Sequence, residues 1–362
     1  MDQFTQYSGA SYYGGGGFGQ QPEPMMQLSE QKKAEKRGLF IAAAKLGALL
    51  LLYEVLTYVM SYAYYYVIYF VKAKKFTLSF DVIREYFRNN SFSISSSFYS
   101  MLGNLFIVII SLAILLILAV AVFKVELKPM LIPKKEHFSG GAKWFTLSMS
   151  MNIAVSIVVS IAVAMMSSAG VTVPEQDFSI TDSSTRTLVM QFMYVVLLGP
   201  VCEELLYRGI IISILKPYGK GLAVFFSAFI FGFMHGNIPQ FVSAFAGGLV
   251  FAAIAVKYDS LVPTMIMHIL NNTAASIYDF TDVLNVDRAV ANNIYYSIVI
   301  ICAVIGMYLL FIKFSEIKPK EEKTFALSSG ERRRAVFLNV VMLVYMGVIL
   351  FGYISSFISA NS

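Results

Sequence analysis

The sequence predicts an all-α protein, a polytopic bundle of about eight or nine transmembrane helices. Three observations carry this prediction. The 362 residues are 57% hydrophobic and 14% charged, where soluble domains carry roughly 25% charged residues. The apolar residues fall in long runs, and the charges collect between them. Two cysteines, Cys202 and Cys302, both lie inside apolar runs, so no disulfide framework competes with the membrane reading.

Residues 1–30 are rich in Gly, Gln, Tyr and Ser and lack apolar periodicity, a composition expected of a disordered tail. A formal GxGxxG at Gly14, Gly16 and Gly19 has no strand before it and no βαβ pattern after it, so no nucleotide partner is expected. The run 39–71 is too long for a signal-peptide core and is expected to be the first span. The runs 99–123, 144–166, 295–312 and 335–359 also approach or exceed the length a spanning helix needs, about 20 mostly apolar residues. Between them lie four shorter or Gly/Pro-broken segments, 187–216, 221–235, 240–256 and 261–278. Residues 31–140 and 286–362 would be the flanking groups of helices around a core at 141–285.

Charge sets the expected orientation. The flanks 31–37, 124–143 and 313–334 are basic, whereas 170–186 and 279–288 lean acidic. The positive-inside rule then gives nine spans with the N terminus cytoplasmic and the C terminus outside, in a cell membrane. Loop 72–98, with Lys72, Lys74, Lys75, Arg84 and Arg88, runs against that scheme. The net charge of +6 points to anionic lipid as its counterpart, with no nucleic acid. Trp144 beside Lys143, and the cluster Tyr62, Tyr64, Tyr65, Tyr66 and Tyr69, are expected as interfacial anchors. His137 falls in a basic loop and carries no assignment.

Polar residues inside the broken segments are the functional signal. "GPVCEELLYRG" (199–209) places Glu203, Glu204 and Arg208 in apolar surroundings; "FGFMH" brings Phe231 and His235; "HILNN" brings His268 and Asn272. Glu204 and Arg208 are four apart and share a helix face, as do His268 and Asn272. Glu203 is turned about 100° from Glu204, so Glu204 is expected to pair with Arg208 while Glu203 points elsewhere. Counted from Lys216, Lys220 and Asp259, Glu203, His235, His268 and Asn272 lie about 20, 22, 13 and 20 Å deep at 1.5 Å per residue. Gly199-Pro200 is expected to break or kink the helix before the glutamates. Gly232 with Gly236, and Gly247 with Gly248, are expected to let helices approach closely. The plain alternatives are structural: an ion pair in Glu204–Arg208, packing for Phe231, a small apolar filler in Cys202. The sequon at 271–273 lies in an expected span.

The ordered set E-E-x-x-x-R (Glu203, Glu204, Arg208), F-x-x-x-H (Phe231, His235) and H-x-x-x-N (His268, Asn272) resembles the CPBP family, the CAAX-protease and bacteriocin-processing intramembrane peptidases, also called Abi proteins. The resemblance covers roughly 141–280. It implies that Glu203 activates a water, His235 helps position it, and His268 and Asn272 stabilise the oxyanion, with Glu204, Arg208 and Phe231 in support. The substrate implied is a peptide or membrane-protein segment, lipidated or of CAAX type. The family is often called a metalloprotease, and Glu203, His235 and His268 are the ligands a zinc ion would use. The chain lacks H-E-x-x-H, so a metal-free, Glu-activated water remains open beside zinc. A non-catalytic scaffold or bacteriocin-immunity protein, and an ion-coupled transporter, are the competing classes.

Overall fold

The computed structural model describes residues 24–77, 79–89, 97–174 and 184–362; the glycine run at 14–19 lies outside them. Every regular element among the described residues is helical. Among the described residues, six helices are long and apolar enough to cross a membrane. They are α1 (Pro24–Ala73), α3 (Ser97–Phe123), α4 (Lys135–Ser168), α9 (Ile238–Tyr258), the helix beginning with α12 (Arg288–Tyr308), and α14 (Val340–Asn361). The other three expected spans are shorter or interrupted. One is a rod at 185–215 made of α5 (Thr185–Gln191), α6 (Gly199–Glu204) and α7 (Ile212–Leu215), joined by π-helical turns. The other two are α8 (Lys220–Phe233) and α10 (Val262–Ala275). These shorter pieces form the polar centre, where backbone irregularity is tolerated because protein, not lipid, surrounds it.

α1 has 50 residues, so it is about 75 Å long and far exceeds the roughly 30 Å hydrocarbon core. Its first turns, Pro24 to Glu30, fall in the stretch expected to be disordered. They lead into the charged 31–37 segment, whose Glu35 carboxylate accepts the backbone N–H groups of Ala326 and Leu327 at 2.8 and 3.2 Å. The polar loop 72–98 contains α2 (Phe80–Asn89). Its Phe80 and Tyr86 rings meet Tyr62 and Tyr69 with centroids 4.7 and 5.1 Å apart, and Ile83 is buried. Part of the tyrosine cluster thus serves packing: Tyr64 and Tyr69 are buried, and the Tyr64 hydroxyl donates to the Tyr99 carbonyl at 2.8 Å.

Trp144 is 0% exposed, so it is a core residue and not a lipid-interface anchor. The ammonium groups of Lys143 and Lys257 lie 4.5 and 5.0 Å from its ring, and cation–π attraction explains its position under the basic end of the bundle. His137 also proves buried, within the first turn of α4, its Nδ1 3.2 Å from Ser260 Oγ.

The last apolar run is split at Leu338–Asn339 into the basic α13 (Ser329–Phe337) and α14. Asn339 causes the break: its Oδ1 caps α14 by accepting from Val341 N at 3.1 Å, and its Nδ2 donates to Phe40 O on α1 at 3.0 Å. α14 crosses α1 closely, because a Cβ on Gly47 would lie 2.9 Å from the Met342 nitrogen. At the basic end, the linker before α13 straps the core: Glu321 accepts from Lys220 N and Gly221 N at 3.0 and 3.1 Å. Arg332 donates to Tyr218 O at 2.7 Å and sits where a side chain on Gly219 (φ +137°) would be. Lys220 pairs with Glu322 and holds that carboxyl below its ordinary range. At the other end Asn361 exchanges hydrogen bonds with the Thr172 backbone, 2.7 and 2.8 Å. A short α11 (Ile277–Val283) follows α10 on that side, and its Asp279 accepts from the Gln191 amide at 2.6 Å.

The glycines behave partly as expected. Gly232 faces the Phe241 carbonyl of α9 at 2.8 Å, and Gly248 faces Phe231 and Ala228 of α8 at 3.1 and 3.3 Å, measured from an added Cβ. Gly236 instead serves the turn between α8 and α9 with φ +75°, a conformation glycine adopts without steric cost.

Candidate active site

The glutamates sit on α6, between two π-helical turns, Phe192–Leu198 and Leu205–Ile211. The expected break at Gly199-Pro200 does not occur. Pro200 has no N–H and would clash with the carbonyl four residues back in an α-helix. The wider π turn removes the conflict: Gly199 N bonds Tyr194 O, five residues back. A Cβ on Gly199 would collide with that same Tyr194 oxygen, so only glycine fits this register. Gly199→Ala is therefore expected to lose roughly 1–3 kcal/mol of stability and to turn the glutamates away from their partners. Thermal unfolding in detergent checks this, and an unchanged midpoint would show that the rod absorbs the methyl group.

Glu204 is 0% exposed. Its Oε1 accepts from Arg208 Nη1 at 2.9 Å and from His268 Nδ1 at 2.9 Å. Arg208, also fully buried, lies between two rings, 4.3 Å from the Phe231 centroid and 5.2 Å from that of Phe251. Its Nε and Nη2 have no hydrogen-bond partner among the described residues, and the ring faces take that place. Phe231 thus does more than fill space. It also meets the rings of His235 and His268 edge to face, with centroids 5.2 and 5.7 Å apart.

Glu203 differs from its neighbour. Its side chain is 35% exposed, and its Oε2 stands 3.5 Å from His268 Nε2. The imidazole of His268 is thereby strung between the two carboxylates. His235 lies just beyond the end of α8, its Nδ1 2.8 Å from the Phe231 carbonyl oxygen. A carbonyl only accepts, so Nδ1 carries the proton, and in neutral His235 the Nε2 lone pair remains available. Asn272 is placed differently: its Nδ2 donates to Val195 O at 2.7 Å, across α10 to the first π turn. The structure therefore joins Glu203, Glu204, Arg208, Phe231 and His268 directly and attaches His235 through Phe231. Asn272 is held on the rod. Cys202, half-buried next to Glu203, is a free thiol.

Sequence reasoning missed Phe251, whose ring is also 5.4 Å from His268, and the tyrosines around Glu203. Tyr53 and Tyr194 are electrostatic neighbours of Glu203, and Tyr53 also of Glu54, a carboxylate on α1. A lone glutamate in the apolar run 39–71 is a signal that could have found Glu54. Phe251 gives no such signal in a segment of apolar residues.

Among the described residues, no three His, Cys, Asp or Glu side chains converge as a metal site. His268 spends Nδ1 on Glu204, and His235 spends Nδ1 on a carbonyl. Each ring keeps its Nε2 for a water or a metal ion, the pattern in which a ligating histidine gives its other nitrogen to a carboxylate or a carbonyl.

Fold and site together define an integral membrane protein with carboxylates, a guanidinium and an imidazole gathered inside a polytopic helical bundle. Residues 185–274, the stretch holding every motif residue, match the family model described as type II CAAX prenyl endopeptidase Rce1-like. This stretch is therefore similar to CAAX-type intramembrane peptidases, the similarity that the three motifs imply. Comparison with curated proteins and with solved structures gave no match.

Proposed function

We propose that the protein is an intramembrane endopeptidase that hydrolyses a peptide bond of a membrane-associated substrate, lipidated or CAAX-type, with a water activated by Glu203. The observation that carries this is the asymmetry of the two glutamates. Glu204 is sequestered and committed to Arg208 and His268, whereas Glu203 is 35% exposed and free to meet water. Glu203 takes a proton from the water as its oxygen attacks the scissile carbonyl carbon. The charge that develops on the carbonyl oxygen is met by the Asn272 Nδ2–H and, when the His268 ring carries a proton on each nitrogen, by its Nε2–H. Glu203 then returns the proton to the leaving nitrogen as the C–N bond breaks. His235 holds the water through its Nε2. Glu204 and Arg208 fix the His268 ring, since a buried imidazole keeps its orientation only if its second nitrogen has a partner.

The N terminus is assigned to the cytoplasm of a cell membrane. Support comes from the clustering of Glu35, Lys216, Lys220 and the 313–334 linker at one basic end, with Asn361 and Thr172 at the other. The deciding assay is cleavage of a quenched CAAX-type or membrane-peptide library by the full chain in nanodiscs, with a chelator arm. Turnover is expected to be unchanged by the chelator. Activity lost with chelator and restored by zinc would replace the water activation proposed here. A folded protein that cleaves nothing, and instead carries pH-coupled flux or only binds a partner, would reject the peptidase reading.

A further inference from the structure

Three asparagines form a chain of side-chain amides that ends on the rod. Asn152 Nδ2 on α4 donates to Asn271 Oδ1 at 3.2 Å, Asn271 Nδ2 to Asn272 Oδ1 at 3.3 Å, and Asn272 Nδ2 to Val195 O at 2.7 Å. Its direction is set from the far end. In the π register that carries Gly199 N to Tyr194 O, the next acceptor, Val195 O, falls to Pro200, which has no N–H to give. Asn272 supplies the missing donor. A carbonyl can only accept, so Asn272 must turn Nδ2 toward it, and Oδ1 then faces Asn271. The same logic fixes Asn271 and then Asn152. Gly247 gives Asn152 its room: a Cβ there would lie 2.6 Å from Asn152 Oδ1 and 3.1 Å from Nδ2.

We propose that Asn152 and Asn271 are positioning residues for Asn272, a polarised amide relay that makes an N–H, never the C=O, the group Asn272 offers to the reacting peptide. The inference rests on the peptidase reading and deepens it. Asn272 Nδ2 has two protons; Val195 takes one, and the second has no partner among the described residues. An amide free to flip would present its oxygen to the developing oxyanion for part of the time. The relay removes that state by anchoring the carboxamide to α4. Asn152 lies outside the 185–274 match, so this anchor belongs to the surrounding helices.

The test compares Asn152→Asp, Asn152→Ala and Asn272→Ala in the nanodisc-embedded full chain. A carboxylate at 152 only accepts, so it drives Asn271 and Asn272 to reverse, whereas alanine merely releases them. The expected result is a kcat lower by about tenfold in Asn152→Asp, the cost of one misdirected hydrogen bond, with KM unchanged and Asn152→Ala less impaired. A purely packing role predicts the opposite order, because aspartate keeps the volume. Wild-type kcat in both Asn152 variants beside a damaged Asn272→Ala overturns the relay and leaves the peptidase reading standing. Absence of wild-type cleavage counts against that reading. The relay is then judged by melting of Asn152→Ala, Asn272→Ala and the double variant. Shifts that fall short of additivity support coupling through Asn271, and additive shifts overturn it.

Discussion

Glu203→Gln is expected to abolish peptide cleavage while leaving the fold intact. The substitution preserves shape and removes the capacity to take a proton. A positioned general base contributes about 10²–10⁴-fold, and kcat should fall by that order with substrate affinity nearly unchanged. The fold survives because Glu203 is 35% exposed and its one ion-pair contact, to His268, is a long 3.5 Å. Turnover measured beside thermal unfolding checks both halves. A Gln variant that cleaves at the wild-type rate would remove Glu203 from the chemistry, and one that fails to fold would return it to structure.

The second large effect concerns the partner that Glu204 cannot lose. Arg208→Ala leaves a fully buried carboxylate with no cation fixed beside it other than the His268 ring, and breaking a buried pair on one side costs about 3–5 kcal/mol. The expected result is loss of monodisperse, folded protein. Arg208→Lys should rescue only in part, because a point charge cannot lie flat between the Phe231 and Phe251 rings as a guanidinium does. Removing both charges, with Glu204→Gln and Arg208→Leu together, should restore folding without restoring cleavage, since neutral, well-packed replacements for a buried pair are often tolerated. Purification yield and melting in detergent read the first expectation and peptide turnover the second. Wild-type stability in Arg208→Ala would show that Glu204 is neutralised by some means other than Arg208.

Much of the molecule was legible in the chain because lipid imposes a simple rule. Apolar runs of sufficient length gave five of the six long helices, while α9 grew from the shorter run 240–256, and polar residues inside short runs marked the centre. The Glu204–Arg208 pair followed from helical spacing alone. What escaped depends on contacts between distant segments. Gly199-Pro200 reads locally as a break, yet a π turn and a donor from Asn272 keep the rod continuous; no periodicity encodes a change of register. Trp144 reads as an interfacial residue until Lys257, remote in sequence, covers its ring. The split at Asn339 depends on the Phe40 carbonyl, near the other end of the chain. α2 was hidden by the charges around it, although Phe80, Ile83 and Tyr86 have helical spacing.

The close crossing at Gly47 also has a bearing on how the chain is made. α1 emerges before α14, and its seat against Met342 and the bond from Asn339 to Phe40 O involve residues made roughly 300 positions later. Domains generally fold from the N terminus during synthesis, so α1 must wait, its small-residue face uncovered, while the peptidase core assembles beside it. Of these two spans, the later to leave the ribosome is thus the one that completes the seat of the earlier. Interrupting translation before Asn339 would strand a molecule with every motif residue present and the Gly47 face of α1 not yet covered.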